Sequence, residues 1–399
     1  MDSNNSNGSI ELPSEIISKI IGHSETPFIK KSLRHSSVSQ IFQTVPDVWN
    51  SLARTNGMSI EQCHEILKRK SRLITSIKKR QEKVVTFKTK QQDMTQLSVQ
   101  KNQIIISSDD CSLKVFDFNG VILKTLNGHT GGIWTFDSCG DYLVTGSTDK
   151  SARIWDLNSQ QTLRILKYHR NTVRTIKSTS NFIITGSRDY TIGVWSSIGD
   201  LLHRLEGHSQ SVRCLDINDQ YLVSGSYDGF CKLWDYKKGK FLKDVHIHEN
   251  RVYCVKINNN FVASAGVGNL VKITKLDTDE CISYNLHSGI VGWMDFQGNY
   301  LITSSLEGSV VKYDYVNNVI GFRIILNEPL RGHKITDSLI IIATFKDVKL
   351  YSFRTGRFLR TLMSANTIYK IDMIDWKIVV GYQDGTEFKV TVFDYEQDL

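Results

Sequence analysis

Hydrophobic residues along this chain keep two different rhythms. Over residues 11 to 52, Ile16, Ile17, Ile20 and Ile21 recur at helical spacing after Leu12-Pro13, which predicts a small all-helical unit of about 40 residues. From residue 84 onward the apolar positions fall in short runs. They are rich in β-branched residues, alternate with polar ones, and are separated by Gly, Asp, Asn and Ser, which predicts strands and tight turns.

The strand-rich part repeats. Hydrophobic runs close on aromatic-Asp-like pairs at Phe116-Asp117, Trp155-Asp156, Trp195-Ser196, Trp234-Asp235, Thr274-Lys275, Tyr313-Asp314, Tyr351-Ser352 and Phe393-Asp394. The spacings are 39, 40, 39, 40, 39, 38 and 42, so eight endings imply eight repeats. Four short strands per period of about 40 residues is the signature of a propeller blade. Within a repeat, a Gly-His-like pair opens the unit at His129, His169, His208 and His248. A strand ending in VTGSTD, ITGSRD or VSGSYD follows, and a third strand runs into the Trp. The segment from Val84 to Thr89 reads as a strand with no repeat of its own before it. It is expected to complete the last blade and remove the exposed edges.

These repeats resemble the WD-repeat family over roughly residues 84 to 396. The resemblance implies a bonded network within each blade: His129, Thr145, Asp149 and Trp155; His169, Thr185, Asp189 and Trp195; His208, Ser224, Asp228 and Trp234. The later repeats depart from it, with Gly268 in place of the Asp and Thr274 in place of the Trp, and weaker internal networks are expected there.

The N-terminal helical unit resembles an F-box. The residues that carry the match are Leu12-Pro13, Glu15-Ile16, Ile29, Leu33, Val38, Phe42 and Trp49. That family docks on the small adaptor of cullin-based (SCF) ubiquitin ligases, and Leu12, Pro13, Ile16 and Ile20 are the residues that the resemblance places at the contact. The expected organisation is a disordered tail at 1–10, an F-box at 11–55, a helical linker at 56–83 and the propeller at 84–399. The fold class is therefore mainly β: an eight-bladed propeller preceded by a small all-α unit. In the linker, Ile60, Cys63, Ile66, Leu67, Leu73, Ile74 and Ile77 share one helical face and Lys and Arg fill the other. Its basic runs suit a nuclear localisation signal, a nucleic-acid contact or a solvated face equally well.

Composition narrows the function classes. Hydrophobic residues make up 40%, no apolar run reaches membrane-spanning length, and the polar N-terminus lacks a secretory signal, so a nuclear or cytoplasmic protein without a membrane partner is expected. Seven cysteines, with no two spaced as C-x-x-C, indicate neither a disulfide framework nor a zinc site. No phosphate-cradling glycine loop, catalytic cysteine setting or metal-ligand cluster is present. No enzyme activity and no cofactor are expected.

A repeat register locates a candidate site. The position five residues after each repeat His holds Trp134, Arg174, Arg213 and Tyr253, and the row fades at Gly292. A second row, just before the turn Asp, holds Thr148, Arg188, Tyr227 and Val267. Three guanidiniums are expected to converge among aromatic rings, an arrangement suited to a phosphorylated side chain. Here the sequence is similar to the cell-cycle F-box/WD-repeat receptors of phosphodegrons. The resemblance implies that Arg174, Arg188 and Arg213 bind phosphothreonine and that Trp134, Thr172, Tyr227 and Tyr253 line the pocket around it and a following proline. Lys150 stands where that family usually has Arg, and Tyr369 takes an aromatic position facing the channel. Phosphorylated proteins, the SCF adaptor and through it a cullin are the expected partners. The short stretch before residue 11 predicts a monomeric subunit. The competing readings are a WD-repeat scaffold for another assembly and, less well supported by a charge of +8 focused at one mouth and one helix, nucleic-acid binding.

Overall fold

A computed structural model describes residues 76, 77, 79, 82–89, 93–139 and 142–395. The candidate adaptor-contact residues Leu12, Pro13, Ile16 and Ile20 lie outside them. The described chain forms eight four-stranded antiparallel sheets arranged as blades around a channel. Seven blades take their strands in chain order and span residues 94–126, 133–166, 173–205, 212–247, 252–285, 291–325 and 330–364. Blade 8 joins β30 (Thr367–Ile374), β31 (Lys377–Asp384) and β32 (Glu387–Asp394) to β1 (Lys83–Lys88), which pairs with β32 from Lys83↔Asp394 to Lys88↔Lys389. The first strand and the last thus share one sheet, and the ring closes without a free inner edge.

The core is distributed around the ring. A buried apolar cluster lies at each of the eight blade junctions, for example Val144, Ile154, Val173 and Ile176 between blades 2 and 3. Second strands such as Phe182–Ser187 are buried along nearly their whole length because a blade covers each face, whereas outer strands such as Thr162–Leu166 are largely exposed. Residues 76, 77 and 79 are helical, and Ile77 is fully buried in the cluster of blades 7 and 8. Beside it Glu82 pairs with Arg360, and Arg360 donates to the Tyr395 hydroxyl at 2.8 Å.

The blade networks are bonded as the repeats imply. His129 Nε2 meets Thr145 Oγ1 at 2.7 Å and Nδ1 meets Asp149 at 2.6 Å, while Trp155 Nε1 donates to the same Thr145 oxygen at 2.8 Å. A neutral imidazole satisfies every group: the threonine hydroxyl donates to Nε2, and Nδ1–H donates to the carboxylate. Blades 3 and 4 repeat the geometry through His169 and His208. In blade 5 the network lacks a carboxylate, as expected, and is built differently. Where Asp and Trp are lost, His248 Nε2 and His246 Nδ1 both meet Ser264 Oγ, at 2.7 and 2.6 Å, and His246 Nε2 reaches Thr274 Oγ1 at 2.8 Å. His246, from the outer strand of blade 4, makes the bond to Ser264 that the indole makes to Thr145 in blade 2.

Two features of the innermost strands organise the channel. First, all eight carry a register shift at the same place, so that one residue per blade bulges out of the ladder: Thr95, Trp134, Arg174, Arg213, Tyr253, Gly292, Arg331 and Tyr369. Second, three positions further along, the blades present Ser98, Asp137, Lys177, Asp216, Lys256, Asp295, Lys334 and Asp372, acid and base alternating from blade 2 to blade 8. Lys177–Asp216, Lys256–Asp295 and Lys334–Asp372 form ion pairs at 3.1, 2.7 and 2.9 Å across blade junctions. The Asp137, Asp216 and Asp372 carboxylates also accept backbone N–H groups of the following blade, from Ser178, Ile257 and Val99. This belt ties neighbouring blades together below the bulges.

Candidate functional site

The bulges explain why residues five after each repeat His act as one row. A bulge re-aims a side chain that would otherwise lie against the next blade, and here it turns Trp134, Arg174, Arg213 and Tyr253 toward one mouth of the channel. The second row sits at the blade tips. Its members donate a backbone N–H to the segment ahead of the inner strand: Thr148 to Gly132, Arg188 to Thr172, Tyr227 to Ser211 and Val267 to Arg251. The two rows therefore meet at every tip.

Six of the eight candidate pocket residues come together. Arg174 and Arg188 hold their guanidiniums 5.2 and 5.3 Å from the Trp134 ring centroid. Arg174 also lies 5.7 Å from the Tyr227 ring and donates to its hydroxyl at 3.3 Å. Arg213 is 5.8 Å from the Tyr253 ring, and Tyr253 packs against Tyr227 at 5.6 Å. Trp134 is fixed in turn by donating Nε1–H to Asp109 at 3.1 Å.

Thr172 enters differently: its side chain is buried, and its backbone carbonyl receives the Arg188 N–H at 3.0 Å, so it positions the tip. Lys150 is exposed on the blade 2 turn with a left-handed φ of 72°. Among the described residues no contact joins it to the arginine group.

The electrostatics favour an anion. Burial, followed by the Arg213 and Arg188 charges, pushes the Arg174 guanidinium below its ordinary value. None of the three arginines has a carboxylate within ion-pair distance among the described residues, and Arg213 keeps a buried Nε without a hydrogen-bond partner. Aromatic faces hold these cations in place by cation–π contact while leaving their N–H edges available. Three planar forks aimed into one mouth suit a ligand with several acceptor oxygens and more than one negative charge.

Sequence reasoning missed two members of this site. Arg251 lies 5.0 Å from the Tyr227 ring centroid. Its signal was the position three after the repeat His, which reads Gly132, Thr172, Ser211 and Arg251. The bulge row also resumes beyond Gly292, at Arg331, a position that sequence reasoning left out of the row, before it reaches Tyr369.

Other chemistries find no support in the described residues. No group of His, Cys, Asp and Glu is arranged to hold a metal, and no helix is long and apolar enough to cross a membrane. Burial pushes the Cys214 thiol up to about 12 and raises Cys231 and Cys254 as well, which removes them as nucleophiles.

Comparison with known proteins agrees with this architecture. The WD domain, G-beta repeat model matches residues 120–156, 160–196 and 199–235. The chain is 25% identical over 362 residues to Cell division control protein 4 of Saccharomyces cerevisiae, covering 76% of this chain and 46% of that one. It is 28% identical over 218 residues to WD repeat-containing protein pop1 of Schizosaccharomyces pombe, covering 41% of this chain and 28% of that one. The chain thus spans less than half the length of these relatives. The crystal structure of the computationally designed Ika8 protein superposes with a TM-score of 0.73 at 22% identity, over 78% of this chain and 99% of that one, which is a likeness of fold. The chain thus carries three WD domain, G-beta repeats within a propeller of eight blades, and is distantly similar to Cell division control protein 4 and pop1.

Proposed function

We propose that this chain is the substrate-recognition subunit of an SCF-type ubiquitin ligase. The propeller binds degrons that carry a phosphorylated Thr or Ser followed by Pro, the F-box at 11–55 docks the adaptor, and bound proteins are ubiquitinated by other subunits and degraded. The observation that carries the reading is the convergence of Arg174, Arg188 and Arg213 on the Trp134, Tyr227 and Tyr253 rings without a compensating carboxylate. A phosphate brings nearly two charges and three acceptor oxygens to such a group, and the rings offer an apolar wall for a neighbouring proline. The distant similarity to Cell division control protein 4 and pop1 supports the same reading.

Two measurements on the full chain test it. Phosphopeptide-array binding by the wild type and an Arg213→Ala variant should show selection for phosphorylated spots that the variant loses. Equal binding to phosphorylated and unphosphorylated spots by both proteins rejects the pocket. Co-purification with the ligase adaptor should be lost on Ile16→Asp. Failure of the wild type to retain the adaptor leaves a WD-repeat scaffold for another assembly.

A further inference from the structure

Blades 5 and 6 bond their histidines differently from blades 2, 3 and 4. In blades 2 to 4 the imidazole Nδ1 faces a carboxylate, Asp149, Asp189 or Asp228, at 2.6, 3.0 and 2.8 Å. In blade 5, His248 Nε2 meets Ser264 Oγ at 2.7 Å. In blade 6, His287 Nδ1 meets Ser309 Oγ at 2.6 Å and Nε2 meets Thr303 Oγ1 at 2.7 Å. His246, on the outer strand of blade 4 (Lys240–Ile247), lies between Ser264 and Thr274 of blade 5. The partners of all three rings are hydroxyls.

His246 and His287 are buried and His248 is half-buried. Among the described residues none of the three has a carboxylate within ion-pair distance. The titratable groups that act on them are His248 and Lys272 for His246, Lys272 for His248, and Arg323 and His333 for His287. All are bases. Glu307 takes the tip position that Asp228 holds in blade 4, each accepting its own backbone N–H bond pattern from the serine two residues before it. Its carboxylate turns to Ser288 and Ser305, at 3.4 Å each, and away from His287.

A proton added at His129, His169 or His208 finds a counter-charge already in place. A proton added at His246, His248 or His287 stands uncompensated among buried apolar groups, and it removes a lone pair that a hydroxyl proton was using. Along Thr274, His246, Ser264 and His248 the hydroxyl and ring protons run one way, so a further proton turns a hydroxyl out of its bond. We propose that blades 5 and 6 are an acid-opening sector of the ring: protonation of His246, His248 and His287 loosens them locally while blades 2 and 3 stay closed. Tyr253 lies on the innermost strand of blade 5 (Val252–Ile257) beside Arg213, so the mouth loosens on that side.

The test is hydrogen exchange of the full chain at pH about 7.5, 6.5 and 5.5, each rate taken relative to the unstructured peptide at the same pH. From the highest pH to the lowest, protection over residues 291–325 should fall by about tenfold, the scale of one uncompensated imidazole one pH unit below its ordinary value. Residues 252–285, which face two such rings, should fall further, and residues 133–166 and 173–205 by less than about twofold. Glu307→Asp shortens the acid to the length that reaches His208 in blade 4, and it should abolish the loss over 291–325 but not over 252–285. His287→Gln removes the titrating ring and should abolish the same loss. Thermal melts at the highest pH establish that each variant folds, and the comparison between blades of the wild type needs neither. Equal losses in blades 2, 3, 5 and 6, or no loss in blades 5 and 6, overturn the proposal. So does a blade 6 loss that survives both variants.

Discussion

The Arg174 guanidinium lies 5.2 Å from the Trp134 ring centroid although the two residues belong to different blades, because each is the bulge residue of its innermost strand. The contact holds a half-buried cation without neutralising it. Trp134→Ala should weaken phosphopeptide binding by about tenfold, since it frees both Arg174 and Arg188. Trp134→Phe should keep most of the affinity, because it retains the ring face and loses only the bond to Asp109. Titration of a phosphothreonine peptide checks both, and equal losses for Phe and Ala would show that the Asp109 bond matters more than the ring.

Acidification should destabilise the fold as pH falls below the ordinary imidazole value. Burial lowers His246 to about 3, and His248 and His287 to about 4, from an ordinary value of 6.5. The unfolded chain therefore binds more protons than the folded one between pH about 6.5 and about 4. Stability is full above that window and falls through it at about 1.4 kcal/mol per pH unit for each imidazole. The lowered aspartates Asp149, Asp189 and Asp228 act at lower pH, since their contribution is present above their unfolded value near 3.8 and is lost as pH falls below it. Urea midpoints at pH 7.5 and 5.0 should differ in the wild type and differ less in His287→Gln. A midpoint that does not move rejects the account.

The charge belt predicts an asymmetry between single and paired substitutions. Lys256 is held between Asp295 and Asp216, and Asp295 also faces His333. Asp295→Ala leaves the half-buried Lys256 with Asp216 alone and should cost about 1–2 kcal/mol. Removing both charges as Lys256→Met with Asp295→Leu should be much milder. Chemical denaturation of the single and double variants decides, and an additive result would show that the two side chains do not act on each other.

Closure of the ring makes a fourth test. Phe87 on β1 packs its ring 5.2 Å from Phe116 of blade 1 and so bridges the seam between the last blade and the first. Phe87→Ala should cost about 2 kcal/mol, less than a fully buried phenylalanine would, and should make the 83–89 segment more sensitive to protease. Unchanged melting and proteolysis would mean that strand pairing with β32 closes the ring without this ring contact.

Much of the molecule is legible in its sequence because the repeat makes the same physical problem recur. A blade cannot bury its faces alone, so the apolar pattern, the His, Thr or Ser, Asp and Trp set and the turn glycines return at each period, and eight endings read directly as eight blades. The rows containing Arg174, Arg188 and Arg213 followed from the same register. The part His246 plays in blade 5 was not legible because it lies on the outer strand of blade 4, outside the repeat's own motif.

What the tertiary structure decided concerns side chains related by ring geometry rather than by spacing. The sequence by itself determined the number of blades, their strands and which positions share a height along the channel, because those depend on local periodicity. It could not show that every inner strand bulges at one place, or that alternating Asp and Lys close into ion pairs across junctions. Those relations depend on blades far apart in the chain meeting around one channel, where distance falls with closure of the ring and not with separation along the sequence.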